Sequence, residues 1–430
     1  MDELLRKFWE VEEVPKSVKI FSDEEAETEL HYQRNVSRLE NGRYMVRLPL
    51  KENIKIGESK SSATKRLVSM ERRFMQRPEL GNEYKRFMDE FIALRHMEEH
   101  ITEACEYFLP HHAVLKPESS TTKLRVVFDG SCKTNTGCSL NDKLLTGPII
   151  QNDIFTIILN FRNSNNLSSA ITLKENLTTV LSQAGFKLRK WSSNSREFVE
   201  TIDPDDREFI KEATINISDT VKTLGLSWNT STDCFIFSVN LEPQKGKITK
   251  RVALSIMASI FDPIGWIAPV IISMKIFMQS LWLHGADWDQ ELSENLQRKW
   301  MELYEDLGNI CNLRIPRWMG LDVNMHAELH GFADSSESAY AAAIYLRIVR
   351  PDRSVITNLV ASKTRVAPIK QISIPRLELC AAHLLVKLMN KIRDFLKIDT
   401  EDVSDSMIVL TWLSDHPRRW KNYYKAYVHY

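Results

Sequence analysis

Three acids, Asp334, Glu378 and Asp405, have the types and the surroundings to hold metal ions. Asp334 closes the strand-like run AELHGFAD and is followed by the serine-rich turn SSES. Glu378 stands in the first turn of the helix expected from Pro375 over PRLELCAAHLLVKLMNKI, off its apolar stripe of Leu377, Ala381, Leu384, Leu385, Leu388 and Ile392. Asp405 joins the short strand of EDVS to the apolar run MIVLTWL. A strand-end Asp, a helix-start Glu and a second strand-end Asp are what metal-assisted phosphodiester hydrolysis needs. Their hard oxygens would converge on two Mg²⁺ ions about 4 Å apart, which clamp the attacking and leaving oxygens. Taken singly, each acid also suits a plainer role: either Asp can cap a turn or helix, and Glu378 can face a helix dipole.

A second set lies earlier in the chain. Lys123 and Arg125 flank the start of the strand LRVVFD, which runs into a turn rich in Gly, Asn and Ser. Cations beside a flexible turn suit a surface that grips phosphates. Weaker signals were weighed beside these. His96 and His100 in RHMEEH are one helical turn apart, as zinc ligands can be, but Met97 stands where HExxH needs its Glu and no third ligand is evident. The pair Asp205–Asp206 in TIDPDDREF is flanked by Pro and charges, which fits a turn and helix cap.

The elements that must position these groups follow from periodicity. From His326 onward the texture is strand, strand, strand, helix, an independent α/β pattern. Before it come a hairpin around Asn229–Asp233, apolar helices with a Pro/Gly turn over residues 250–285, and the Trp-bearing helix ELSENLQRKWMELYEDL. Nearer the N-terminus, FSDEEAETELHYQR, SSATKRLVSMERRFMQR and the span from Tyr84 to Tyr107 are expected as helices, and NGRYMVRLPLKE as a strand. A helix is expected over LKENLTTVLSQAG, with Leu173, Leu177, Val180 and Leu181 on one face and Gly185 as its stop, then a short strand over FKLRKW.

Composition sets the bounds. A chain of 430 residues can hold two or three domains, and a formal net charge of zero argues against a strongly basic nucleic-acid binder while allowing a local basic groove. Six cysteines without a CxxC pair favour neither a zinc ribbon nor a disulfide framework, so a reducing, intracellular compartment, cytoplasmic rather than secreted, is expected. The run IMASIFDPIGWIAPVIISMKIFM holds Asp262, Pro263, Gly265, Pro269 and Lys275, which suit a buried helix–turn–helix better than a membrane span.

Two groups of motifs carry a resemblance. FADSSESAYAAAIYLR, ASKTRVAP, SIPRLELCAAHLL and SDSMIVLTWL with RRWK resemble the RNase H-like region of Pao (BEL-type) LTR-retrotransposon polyproteins. LPHHAVLKPESSTTKLRVVFDGS, GCSLNDKLLTGP, GFKLRKWSSNS, VKTLGLSW and SIFDPIGWIAPVIISMKIFMQSLW resemble the reverse transcriptase and connection of the same family, in the same order. The resemblance implies an α+β protein in four regions: residues 1–104, mainly helical and preceding the reverse transcriptase; 105–230, a reverse-transcriptase remnant (fingers); 231–320, the Pao-type connection; and 321–430, a truncated RNase H-like α/β domain. It implies Asp334, Glu378 and Asp405 as catalytic, Mg²⁺-binding acids, Lys123 and Arg125 as nucleotide-phosphate contacts, and an RNA–DNA hybrid as partner.

The departures from the family's pattern shape the expectation. A reverse transcriptase of this family has palm acids, including a Tyr-x-Asp-Asp hairpin, between the LNFR segment and the LKENL helix; here RNSNNLSSA joins them directly. Without those acids nothing positions the polymerase metals. The sequence ends at KNYYKAYVHY, before the helix that would bring the family's fourth carboxylate, and KIDTEDVS is polar where the strand before Asp405 is usually apolar. The reading is a degenerate polyprotein fragment that at most binds nucleic acid. Its rivals are a residual Mg²⁺-dependent nuclease and a domesticated, non-catalytic binding protein. With the palm gone, Val126, Phe128 and Ile157 must find another core or stay partly exposed.

Overall fold

Residues 21–99, 107–115, 124–164, 166–208, 220–239, 246–322, 325–397 and 400–403 are described by the structure, a computed structural model. The fold is mixed α+β, in two units: one drawn from residues 20–150 and 176–188, the other from 151–175 and from 189 on.

In the first unit, α1 (Asp23–Asn35) starts on a reciprocal cap: Ser22 Oγ accepts from the Glu25 N–H at 3.3 Å, and Glu25 Oε2 accepts from the Ser22 N–H at 2.8 Å. Where NGRYMVRLPLKE was expected as a strand, only the two-residue β2 (Tyr44–Met45) forms, paired with β1 (Ser37–Arg38) just before the run. Val46 and Leu48 stay exposed, so no buried face holds that run extended. Two helices follow, α2 (Lys60–Gln76) and α3 (Pro78–Ala93). The latter was expected from Tyr84 to Tyr107. It begins instead at Pro78, whose missing N–H costs nothing at the first helical position, and stops at Ala93, just before Arg95 turns left-handed at φ +56°. Strand β3 (His111–Leu115) pairs antiparallel with β4 (Leu124–Phe128), setting Val114 beside Arg125. Leu80, Tyr84, Leu124 and Val126 form the buried core between these helices and the hairpin. A single turn, α4 (Leu140–Lys143), is capped by Ser139.

Next come α5 (Ile154–Asn163) and α6 (Leu167–Gln183), the second beginning earlier than its sequence pattern suggested. Phe155, Ile158 and Leu159 of α5 are fully buried, whereas Leu173, Leu177 and Val180 of α6 are exposed. FKLRKW forms no strand: Lys190 is left-handed at φ +63°, which breaks the extended run and leaves one isolated bridge, Trp191 to Arg207. After the short α7 (Arg196–Glu200), β5 (Thr220–Thr223), β6 (Leu226–Asn229) and β7 (Cys234–Ile236) make an antiparallel meander with the expected turn after Asn229. Three helices follow, α8 (Lys250–Ser259), α9 (Ala268–Leu283) and α10 (Glu294–Asp306), then β8 (Arg314–Pro316), which completes the β5–β8 sheet. Lys250 is buried here with its Nζ over Trp282 at 4.0 Å and Trp288 at 4.9 Å, an aromatic enclosure that offsets its lost hydration.

Three long strands follow as expected: β9 (His326–Ser335), β10 (Ala339–Val349) and β11 (Val355–Val366), then α11 (Ile374–Leu396) and β12 (Thr400–Val403). Their order across the sheet is β11-β10-β9-β12, antiparallel except for β12, which lies parallel to β9 after the α11 crossover. The polar run KIDTEDVS therefore pairs through residues 400–403. One continuous apolar core runs from Phe155 of α5 through the connection helices to Ile392 of α11.

Candidate functional site

Asp334 owes its position to the alternation of β9. Leu329 and Gly331 are buried and Ala327 and Ala333 pack on the core, so Glu328, His330, Phe332 and Asp334 fall on the other row. Asp334 is exposed, pairs in register with Ala341 and accepts the Ser335 N–H at its Oδ1 over 2.7 Å. The following turn closes on itself: Ser336 Oγ accepts the N–H groups of Ser338 and Ala339, and the Ser336 N–H donates to Ala339 O at 2.8 Å. The Ser335 hydroxyl oxygen is buried and has no hydrogen-bond partner among the described residues.

Glu378 lies on α11, half-buried between the buried Leu377 and Leu379. The helix starts one residue sooner than expected, because Ser373 takes the extended conformation of an N-cap. The first turn then holds no acid and Glu378 falls just beyond it. A carboxylate there gains little from the helix dipole, which fades within one turn, so the dipole role weakens.

The other expected residues divide by where they fall. Asp405 and Lys123 lie outside the described residues, as does His100. Arg125 is exposed on β4. His96 sits edge-on to Phe91, with its Nε2 3.5 Å from Arg43 Nη1. Asp205 and Asp206 form a 3₁₀ turn with Pro204, and the cap is Asp203, whose carboxylate accepts the Asp205 N–H at 3.0 Å. No group of three His, Cys, Asp or Glu side chains able to hold a metal comes together among the described residues. No helix among them is long and apolar enough to cross a membrane.

The Pro/Gly turn of the connection has a role that its apolar texture did not reveal. Asp262 accepts three backbone N–H groups, from Gly265, Trp266 and Ile267, at 2.8–2.9 Å. Burial pushes its carboxyl up, against those hydrogen bonds and the Lys363 charge. The loop so held lines the outer edge of β11: Ser362 N–H donates to Ile264 O at 2.9 Å, Ser362 Oγ donates to Gly265 O, and Lys363 Nζ donates to Pro263 O at 3.0 Å. An edge strand is thereby covered.

A bulge between Ile344 and Tyr345 displaces Val360 from the ladder. The carbonyls of Leu359 and Val360 accept instead from the fully buried Arg162 Nη1, at 2.9 and 3.2 Å, and Val360 O also accepts from Trp266 Nε1. Burial, with Arg317 nearby, pushes the Arg162 guanidinium down to about 10, still charged at neutral pH. Arg317 in turn binds Asp233 through two hydrogen bonds of 2.6 and 2.9 Å. A sequence signal for this network existed only as an arginine in an otherwise apolar helix. The row of Asp334 carries one further cluster: Glu328 accepts from His330 and Arg347, which hold its carboxyl below the usual range.

Residues 249–406 match the family model of the Pao retrotransposon-like RNaseH-like domain. That span holds α8–α10 together with the β9–β12 sheet. Among solved structures, the foamy viral protease-reverse transcriptase dRH bound to double-stranded DNA is similar at 12% identity, over 99% of this chain and 80% of its own, with a TM-score of 0.40. The native Prototype Foamy Virus protease-reverse transcriptase is similar at 14% identity, over 100% of this chain and 61% of its own, with a TM-score of 0.23. No curated protein sequence matches the chain.

Proposed function

We propose that this chain is a fragment of a Pao-type retrotransposon polyprotein that keeps the RNase H-like sheet and contacts nucleic acid without polymerising it. The observation that carries the reading is the strand order β11-β10-β9-β12, with an exposed Asp334 near the end of β9, inside the span that matches the RNaseH-like family model. In register, β12 sets Val403 beside Phe332. Asp334, Glu378 and Asp405 are the residues that would hold Mg²⁺, and all three offer hard oxygens. When bound, the ion would polarise a phosphodiester and lower the pKa of a bound water.

The absence of polymerisation rests on the sequence between Arg162 and Leu173, where the family's palm acids do not occur. The 3₁₀ turn at Asp205–Asp206 supports this, since a metal-holding hairpin needs flanking strands and none borders these residues among the described ones. A residual nuclease is the second reading, favoured by the exposure of Asp334, which among the described residues caps no helix and forms no ion pair.

The test is a three-part assay on the full chain: binding of an RNA–DNA hybrid in EDTA, hybrid cleavage in Mg²⁺, and primer extension in Mg²⁺ or Mn²⁺. Binding without extension supports the reading. Cleavage abolished by Asp334→Asn moves it to the nuclease. Nucleotide incorporation overturns the polymerase-negative part.

A further inference from the structure

One helix of the first unit has a lopsided charge. α2 carries Lys60, Lys65, Arg66, Arg72 and Arg73 against a single acid, Glu71. At 3.6 residues per turn, Ser62, Lys65, Arg66, Ser69, Arg72, Arg73 and Gln76 share one arc of about 120° along the helix. Glu71 falls on the opposite side, and Met70 and Phe74, which pack on the buried core, fall on a third. The four cations of the arc are exposed, and among the described residues Lys65, Arg72 and Arg73 form no ion pair. Arg66 is paired with Asp129, just after β4, so one edge of the arc adjoins the end of the β3–β4 hairpin. Arg125 alternates along β4 with the buried Leu124 and Val126, so it stands on the hairpin face turned away from that core.

Lys65 and Arg72 are seven residues apart in sequence, about 10 Å along the axis. No single phosphate spans that distance, whereas a chain of phosphates can engage Lys65, Arg72 and Arg73 together. Ser62, Ser69 and Gln76, interleaved with them, are uncharged donors that suit phosphate oxygens. The exposed apolar residues Leu67, Val68 and Met75 surround Glu71 on the other side of the helix, and an acid at the centre of that side disfavours an anionic lipid surface.

We propose that this face of α2 is a nucleic-acid contact separate from Arg125, holding the phosphodiester backbone through Lys65, Arg72 and Arg73. Such contacts position a nucleic acid without reading its sequence. The inference rests on the nucleic-acid reading above but not on the family match, since α2 lies outside residues 249–406.

The test is titration of the full chain with a fluorescent RNA–DNA hybrid in EDTA at several salt concentrations. In the double variant Lys65→Ala, Arg72→Ala, the slope of log affinity against log salt should shrink by about two, one for each cation lost. Affinity at about 0.1 M salt should fall by up to about tenfold per cation. The charge-keeping pair Lys65→Arg, Arg72→Lys should bind like the natural chain. Arg298→Ala with Lys299→Ala, which removes the same charge from the exposed face of α10, should leave the slope as it was. An unchanged slope in the Lys65, Arg72 alanine pair overturns the inference, as does an equal fall in the α10 pair or a loss of binding in the charge-keeping pair. Where the alanine pair does not fold, Arg73→Gln decides on the same terms, with an expected fall of about one. Phosphatidylserine vesicles bound through Lys65 and Arg72, with the hybrid slope unaffected, would give this face to a lipid surface instead. If the natural chain binds no hybrid, the functional reading and this inference fall together; if it binds and the alanine pair keeps its slope, this inference alone falls.

Discussion

An exposed carboxylate at the end of a strand, held among the described residues by the N–H of the next residue, contributes little to the packing around it. That is the state of Asp334, whose ladder neighbour is an alanine. Asp334→Asn should accordingly leave the stability of the chain within about 0.5 kcal/mol, as surface substitutions do, while any Mg²⁺-stimulated cleavage of a hybrid falls to background. Melting curves and a cleavage assay on the same preparation check both parts; a large loss of stability would mean that the acid is structural. Glu378 differs, since it is half-buried between two leucines and takes part in interactions of its own. Both acids were visible in the sequence because a polar residue at a strand end or off a helix stripe breaks a simple pattern.

The elements carry the same contrast between local and distant causes. The β9–β10–β11–α11 succession was legible from alternation, a serine-rich turn and a helical stripe, all local signals. The end of α3 at Ala93, the loss of the FKLRKW strand and the exposure of the α6 stripe were not, since each depends on a left-handed residue or on the presence of a packing partner. The Pro/Gly turn at Asp262 shows how a motif can be conspicuous without revealing its purpose. Gly265 has φ +89°, and a Cβ placed on it would lie 1.9 Å from Ser362 O, a backbone atom that cannot move away. Gly265→Ala should therefore destabilise the unit by at least about 1–3 kcal/mol, through loss of the contact that covers β11. Urea unfolding followed by tryptophan fluorescence measures this, and an unchanged midpoint would show that the loop does not hold the strand edge. Bulge and buried arginine belong to the same scale: Arg162 donates to four backbone carbonyls, those of Pro316, Arg317, Leu359 and Val360.

At the scale of the whole molecule, the core decides which parts resist opening. The segment over residues 120–190, read as a shortened reverse-transcriptase region, was expected to find another core or leave Val126, Phe128 and Ile157 partly exposed. The structure divides it. Ile158 and Leu159 of α5 are fully buried and Ile157 half-buried, Val126 is buried at 8% exposure, and Phe128 and the α6 stripe remain exposed. Hydrogen exchange at neutral pH should rank α5 with the connection helices over residues 252–283, and α6 well below both; slow exchange in α6 would mean that its apolar face is covered in solution. The central proposal, that this chain contacts nucleic acid, is tested most directly by titrating the full chain with a fluorescent RNA–DNA hybrid in EDTA at several salt concentrations. The account predicts saturable binding that weakens as salt rises, by an amount reduced in Arg125→Ala because one phosphate contact is lost. Absence of binding at low salt by a folded preparation would contradict it.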